Sequence, residues 1–304
     1  MLPHAFITGG SGLLGLNVLL HSPEQHRFYA LENKRQIKLR GIETVKMDLG
    51  NLASIEGVLK YCSPQLVVHA AGMTNVDSCN EDPSKANFVN GTLPANLAKV
   101  CYELGIKFVH ISTDHIFDGT RSFITEETPA KPLNEYGYSK AFGEEGVISN
   151  NPDALVVRCN FFGWGPFYKP SFSDFIFDNL SEGKSIRLAD DVFYTPAVAQ
   201  NLIEGIQSLV GLGASGVFNV VGSERLSKYE FGLKMAEIFE WDANLIERVS
   251  WESLGASAKR PADMSLSDRK VRKALGHDLG TAGQNIKVLK DLIDTDLYNK
   301  VKSI

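Results

Sequence analysis

Several features that mark particular classes of protein are absent from this 304-residue sequence. Its four cysteines, Cys62, Cys79, Cys101 and Cys159, lie far apart and show no C-x-x-C spacing. That pattern disfavours a metal-binding knuckle or a disulfide framework and favours reduced thiols in a cytoplasmic protein. The seven histidines show no metal-ligand spacing, so we predict no metal site.

Basic charge and long apolar runs are also scarce. The net charge is −5, and no basic stripe of the kind that binds nucleic acid is present. No apolar run approaches the roughly 18 residues of a membrane span, and the first residues lack the basic start and apolar segment of a signal peptide. We therefore expect a cytoplasmic protein with neither nucleic-acid nor membrane partners.

Short apolar, β-branched runs alternate with helical patterns along the first half of the chain. Near-continuously apolar strands that alternate with helices indicate a parallel sheet covered on both faces. We therefore predict an α/β fold with a doubly wound parallel (Rossmann) sheet. The apolar runs are residues 4–10, 27–32, 45–49, 65–72, 107–113 and 154–160.

The pattern changes from about residue 164, where a segment rich in Gly, Pro and aromatic residues is typical of a lid over a substrate. Helix and strand patterns up to residue 222 then suit a return to the main sheet. We expect residues 1–163 plus about 195–222 to form the dinucleotide-binding Rossmann domain. Residues from about 164–194 plus 223–304 would form a smaller C-terminal substrate-binding lobe.

A glycine-rich turn, ITGGSGLLG at residues 7–15, follows the first strand and opens the first helix. Glycines allow the backbone to approach a pyrophosphate closely, and the helix N-terminus offers free N–H groups to it. A glycine-rich turn without a ligand is the alternative, but the strand before and the helix after favour a dinucleotide site.

The choice between NADH and NADPH stays open. Glu32 could hold the two ribose hydroxyls of NAD, whereas Lys34 and Arg35 just beyond it could bind the 2′-phosphate of NADP. Asp48 and Leu49 suit a contact with the adenine or a turn equally well. The cofactor contacts expected from these stretches are Gly9, Ser11, Gly12, Leu13, Leu14, Glu32, Asn33, Lys34, Asp48 and Leu49.

Two tyrosines precede Lys140 in NEYGYSKAFGE, residues 134–144. On a helix, residues four apart share a face and residues two apart do not, so Tyr136 rather than Tyr138 can act with Lys140. The same spacing recurs at Tyr298 and Lys302, in a polar C-terminal segment, where we expect no function.

A further polar cluster, Ser112 to His115, ends an apolar strand, and ligands bind at such carboxyl ends in open α/β sheets. Each of these residues could separately be a turn former or a helix cap. Together with Tyr136 and Lys140, Thr113 completes a trio suited to hydride transfer. We expect the Lys140 cation to lower the pKa of Tyr136, which then gives its proton to the developing oxyanion.

With these motifs the chain resembles the extended short-chain dehydrogenase/reductases, and within them the dTDP-4-dehydrorhamnose reductase family. The motifs that carry the resemblance occur in family order: ITGGSGLLG, VVHAAGMTNVD, STDHIFDG, PLNEYGYSKAFGE and KRPADMSLS. The resemblance implies an NADPH- or NADH-dependent nucleotide-sugar 4-ketoreductase. Thr113, Tyr136 and Lys140 would be its catalytic residues.

The resemblance also implies contacts at both ends of the reacting site. The residues beside the nicotinamide would be Ala71, Gly72, Met73 and Thr74. The residues on the substrate side would be Val76, Asn90, Asp114, His115, Phe161 and Arg260. Arg260 would hold the substrate diphosphate, with an exposed structural arginine as the alternative. Expected partners are the nucleotide-sugar substrate and, as an option, a second copy of the chain in a homodimer.

The sequence departs from the family pattern at the substrate. His115 and Phe161 stand where such reductases typically carry tyrosine and tryptophan, which leaves the identity of the sugar open. His115 also replaces the glutamate of the related 4,6-dehydratases, which argues against dehydration. Two other functions remain as alternatives: an NAD-dependent nucleotide-sugar epimerase, favoured by Glu32, and a non-catalytic subunit resembling methionine adenosyltransferase β.

Overall fold

The computed structural model describes residues 4–21, 28–32, 35, 37–255 and 258–304. The strands, in chain order, are β1 (Ala5–Thr8), β2 (Phe28–Leu31), β3 (Ile42–Val45), β4 (Leu66–His69), β5 (Lys107–Ile111), β6 (Leu155–Arg158), β7 (Phe161–Phe162), β8 (Ile186–Ala189), β9 (Phe193–Tyr194), β10 (Ala197–Val198), β11 (Gly216–Asn219), β12 (Leu226–Ser227) and β13 (Ile246–Val249).

The α-helices lie between and after these strands. They are α1 (Leu13–His21), α2 (Leu52–Cys62), α3 (Val76–Glu81), α4 (Pro83–Asn87), α5 (Leu93–Glu103), α6 (Glu135–Asn150), α7 (Phe172–Leu180), α8 (Ala199–Gly211), α9 (Lys228–Phe239), α10 (Arg269–Leu275), α11 (Ala282–Asp291) and α12 (Asp296–Ser303). A π-helical turn, Phe88–Thr92, joins α4 to α5, and 3-10 turns occupy Ala243–Leu245 and Glu252–Leu254.

Within the described ranges, a seven-stranded parallel sheet has the order β11-β6-β5-β4-β1-β2-β3. Successive side chains of β1 enter different cores: Ala5 and Ile7 pack on one face of the sheet, and Phe6 packs on the other. Both faces are therefore buried, which explains the near-continuous apolar runs. The predicted doubly wound fold is confirmed. Between β1 and β4 the strand order reverses, and a crevice opens there at the carboxyl ends of the strands.

A second apolar cluster lies beyond the sheet, around the fully buried Trp164 and Phe231. It gathers side chains from α7, α9, α11 and α12 and from the paired strands β8 and β13. The expected division of the chain into two lobes stays a prediction.

The described part of the chain contains no helix long and apolar enough to cross a membrane. It also contains no group of three or more His, Cys, Asp or Glu side chains that could hold a metal ion. The four cysteines are buried and free, and burial raises the pKa of the Cys62 and Cys79 thiols to about 11.

Candidate active site

A cleft of about 770 Å³ lies at the carboxyl ends of β1, β4, β5 and β6. It brings together most of the residues that the sequence predicted for cofactor and substrate. Those that line it are Gly9, Ser11, Gly12, Leu13, Leu14, Leu49, Ala71, Gly72, Thr74, Val76, Thr113, Asp114, His115, Tyr136, Lys140 and Phe161.

The glycine-rich turn forms one end of this cleft. Gly9 has φ +73°, and a Cβ there would lie 2.6 Å from the backbone nitrogen of Ala71. A Cβ on Gly15 would lie 2.3 Å from the Gly9 carbonyl oxygen, so this glycine lets α1 pack against the turn. The first turn of α1 carries no acidic residue, which leaves its N–H groups and positive dipole end available to an anion.

Helix α6 positions the two residues of the Tyr-x-x-x-Lys motif. Its N-cap, Asn134, accepts a hydrogen bond from Gly137 N–H at 2.9 Å and donates one to the Lys259 carbonyl at 2.9 Å. Tyr136 and Lys140, one helical turn apart, line the cleft. Tyr138 is 53% exposed and is not among the lining residues.

The electrostatics of Tyr136 differ from the expectation. Burial raises the pKa of Tyr136, and a hydrogen bond with Thr113 only partly opposes that effect. The Lys140 ammonium donates to the Ile111 carbonyl at 2.6 Å. Lys140 does not lower the pKa of Tyr136, because the pKa of Lys140 itself is only about 8 and the lysine is already neutral at the higher pH where the phenol would ionise. Tyr136 is consequently a protonated phenol at neutral pH, which is the form that can donate a proton.

Burial also changes the acid–base properties of Lys140. It lowers the pKa of Lys140 to about 8, with Glu144 opposing the shift. The ammonium form therefore still predominates at pH 7 but titrates closer to neutrality than an exposed lysine does.

Asp114 and His115 occupy the end of the cleft beyond the trio. The Asp114 carboxylate accepts from the Thr113 hydroxyl at 3.2 Å and from Asn160 Nδ2 at 2.6 Å. The His115 ring meets Tyr136 edge-on, with centroids 5.5 Å apart. Burial lowers the pKa of His115, and its Nδ1 has no hydrogen-bond partner among the described residues. This neutral imidazole is therefore available to a ligand.

Two predicted cofactor contacts lie outside this cleft. Glu32 faces Lys46 at 3.7 Å, and with Asp48 it lines a separate, shallow pocket. Asn33 and Lys34 lie outside the described residues.

Three other predicted residues, Met73, Asn90 and Arg260, are not among those that line the cleft. The Asn90 side chain accepts a hydrogen bond from Met73 N–H at 2.8 Å and donates one to the Met73 carbonyl at 2.9 Å. These two bonds fix the position of the Met73 backbone. Arg260 lies 3.4 Å from Asp77, and its guanidinium stacks over Trp251 at 4.8 Å. The contacts of these three residues with a ligand stay a prediction.

Residues 164–171 form a strap across the cleft, and its contacts could not be read from the sequence. The Tyr168 hydroxyl donates to the Ser11 carbonyl at 2.8 Å, and Lys169 Nζ lies 3.5 Å from the Thr74 hydroxyl. The Arg35 guanidinium stacks on the Tyr168 ring at 3.8 Å. No periodic pattern marks Tyr168 or Lys169, because an irregular segment has no repeating face.

The RmlD substrate binding domain family matches residues 4–292 of this chain. The chain belongs to this family. The family resemblance predicted from the motifs is thereby confirmed.

Individual relatives extend the similarity over nearly the whole RmlD-family chain. A probable low-salt glycan biosynthesis reductase, Agl14 of Haloferax volcanii, is 32% identical over 292 residues, covering 94% of this chain and 97% of the relative. Methionine adenosyltransferase 2 subunit beta of Xenopus laevis is 28% identical over 284 residues, and the match covers 88% of this chain and 81% of the relative. The crystal structure of a hypothetical dTDP-4-dehydrorhamnose reductase from Sulfolobus tokodaii has a TM-score of 0.80 at 32% identity, covering 91% of this chain and 96% of that one.

Proposed function

We propose that the protein is an NAD(P)H-dependent oxidoreductase that reduces the 4-keto group of a nucleotide-linked 4-keto-6-deoxy sugar. Membership of the RmlD family and reductase relatives support the reaction class. The observation that carries the proposal is that one cleft contains a glycine turn able to take a pyrophosphate and, further along it, Thr113, Tyr136 and Lys140.

The residues of this cleft have different roles in the reduction. A bound nicotinamide would supply the hydride to the carbonyl carbon. Tyr136 donates its phenolic proton to the carbonyl oxygen as that oxygen gains charge, because an alkoxide is a stronger base than a phenolate. Thr113 hydrogen-bonds the phenol and orients it. The cationic Lys140 adds positive potential at this end of the cleft.

NADPH is the better-supported cofactor. Arg35 lines the cleft, whereas Glu32 is paired with Lys46 outside it. A guanidinium suits the 2′-phosphate of NADP, and the ribose-binding carboxylate that would favour NAD is turned to another partner. The same pairing weakens the case for an epimerase, which rested on Glu32 as a ribose ligand.

A regulatory role is the second candidate, and similarity to methionine adenosyltransferase 2 subunit beta favours it. A chain with that role would bind the dinucleotide and a partner enzyme without turning over a sugar.

The deciding experiment measures NADPH and NADH oxidation against a panel of nucleotide-linked 4-keto-6-deoxy sugars. Tyr136→Phe should lower kcat by about 10²- to 10⁴-fold while retaining cofactor binding. Tyr138→Phe is the matched control, and its turnover should match the unmodified protein. No turnover with any sugar, although NADPH still binds, would overturn the reductase proposal and favour the regulatory role.

A further inference from the structure

A row of polar side chains crosses the centre of the sheet beneath the cleft. Thr8 on β1, His69 on β4 and His110 on β5 are register partners on adjacent strands, and each is at most 1% exposed. The Thr8 hydroxyl lies 2.8 Å from His69 Nδ1, and the two imidazole rings stack with centroids 5.5 Å apart and planes 19° apart. Because buried polar groups cost stability unless they are hydrogen-bonded, three in one row call for a reason.

This row ends at Lys140. Lys140 Nζ lies 3.5 Å from His110 Nε2 and 2.6 Å from the Ile111 carbonyl oxygen. An ammonium group has only donors, so His110 Nε2 is the acceptor. Burial, Lys140 and His69 all hold the pKa of His110 well below its ordinary value, so the ring is neutral and carries its single proton on Nδ1. His110 thus offers a neutral acceptor at the base of the cleft.

Two interpretations of His110 can be compared. As a packing residue, it would only fill space beside His69, and a phenyl ring would serve equally well. The orphaned Nδ1, which has no partner in the described part of the chain, argues against packing alone, because phenylalanine would avoid that cost. What the imidazole provides and a phenyl ring does not is the lone pair that faces Lys140.

We propose that His110 is a positioning residue that holds the Lys140 ammonium at the reacting end of the cleft and keeps it charged. The proposal rests on the function proposed above, in which Lys140 acts beside Tyr136. Among the described residues, the titratable side chains near Lys140 besides His110 and its neighbour His69 are Tyr136 one turn earlier on α6, Glu144 one turn later, and Cys159 after β6. Glu144 is already paired with Arg158 at 2.8 Å, and burial keeps the Cys159 thiol protonated.

The direction of the effect follows from the charge. A hydrogen bond to the charged form of a group favours that form. Removing the His110 acceptor therefore makes the ammonium less favourable, so Lys140 should lose its proton at a lower pH than the value of about 8 in the unmodified protein.

The test measures the reactivity of Lys140 toward acetic anhydride as a function of pH, with mass spectrometry as the readout and no sugar present. In His110→Phe, which keeps the ring volume, the labelling midpoint should fall by about one pH unit. His110→Gln, which restores an acceptor, should return it toward the unmodified value. His69→Phe leaves both Lys140 acceptors in place and should not move it. If His110→Phe does not fold, His110→Leu replaces it.

An unchanged midpoint in His110→Phe or His110→Leu overturns the proposal. The second measurement is the pH dependence of kcat/KM in the same variants. The alkaline limb of that profile, where kcat/KM falls as the pH rises, should move to lower pH together with the labelling midpoint. A shifted midpoint in a protein that turns over no sugar supports the His110 contact while the reductase proposal fails. Turnover with an unmoved alkaline limb leaves the reductase proposal standing and overturns the role of His110.

Discussion

The Lys302 ammonium lies 2.6 Å from Oδ1 of Asp174, a carboxylate with no exposed surface. The other oxygen of Asp174 accepts from Gly165 N–H at 2.8 Å and from Ser171 N–H at 2.7 Å. Both of these amides belong to the strap over the cleft. One carboxylate therefore joins helix α12 to the segment that covers the glycine turn.

Removing the Lys302 charge should loosen the strap. Lys302→Met leaves the Asp174 carboxylate buried without its cation, and since Lys302 is 26% exposed we expect about 2 kcal/mol of destabilisation rather than the larger cost of a fully buried pair. Urea unfolding with NADPH affinity in parallel measures both consequences. Lys300→Met, whose partner Asp296 is exposed at 4.0 Å, is the control and should change little. Equal effects of the two substitutions would contradict the role of Asp174.

The pH dependence of turnover should follow Lys140. Its pKa is lowered by burial from 10.5 to about 8, so the cation is present below about pH 8 and is lost as the pH rises through it. We expect kcat/KM to fall above about pH 8. Stability should move the opposite way: between about 8 and 10.5 the unfolded chain binds more protons at this group than the native protein, so its contribution to stability rises with pH. A pH–rate profile with pH-dependent unfolding checks both signs, and a rate that rises through pH 8 would contradict the cationic role.

Cofactor preference should depend on Arg35. Arg35→Ala removes the guanidinium that lines the cleft, so KM for NADPH should rise by about 10- to 100-fold with little change for NADH. Arg40→Ala is the matched control, because Arg40 is an exposed arginine near Arg35 in the sequence that does not line the cleft. Steady-state kinetics with both cofactors decides the matter. Parallel losses for NADPH and NADH would show that Arg35 acts through its stack on Tyr168 instead.

The glycine turn can be tested with two substitutions of the same kind. Gly9→Ala places a Cβ against the Ala70–Ala71 backbone at a positive φ, so we expect loss of dinucleotide binding and about 1–3 kcal/mol of destabilisation. In Gly57→Ala, within α2, the added Cβ meets nothing within 4 Å, and the change should leave binding intact and slightly raise stability. Dinucleotide titration and thermal unfolding of both variants provide the comparison. If Gly9→Ala bound the dinucleotide with the affinity of the unmodified protein, the proposed close approach of the glycine turn to the dinucleotide would be wrong.

The fold was predictable from the sequence because its determinants are local. Strands such as β1 are buried on both faces of the sheet, and a strand in that position needs consecutive apolar residues, which are visible in the sequence. The predicted pairing of Tyr136 with Lys140 has a similar basis, since helical spacing alone puts residues four apart on one side.

The remaining features depend on contacts between distant parts of the chain. The spacing of Tyr298 and Lys302 predicted no function, yet Tyr298 packs edge-on against Trp164 at 5.1 Å and Lys302 reaches Asp174, 128 residues away. A contact between distant residues also decides the behaviour of Lys140, which was expected to lower the pKa of Tyr136. Its orientation is set by a carbonyl on β5 that no motif marks.

The strand order also bears on how the chain folds during synthesis. Strand β1 lies between β2 and β4, and its contact from Thr8 to His69 spans 61 residues. At about 5–20 residues per second, a ribosome needs roughly 3 to 12 s to make that length of chain. For that time one edge of β1, in which Ala5, Phe6 and Ile7 are apolar, has no neighbouring strand to pair with. We therefore expect newly made chains to depend on chaperones before the sheet closes, and overproduction at low temperature to raise the yield of folded protein.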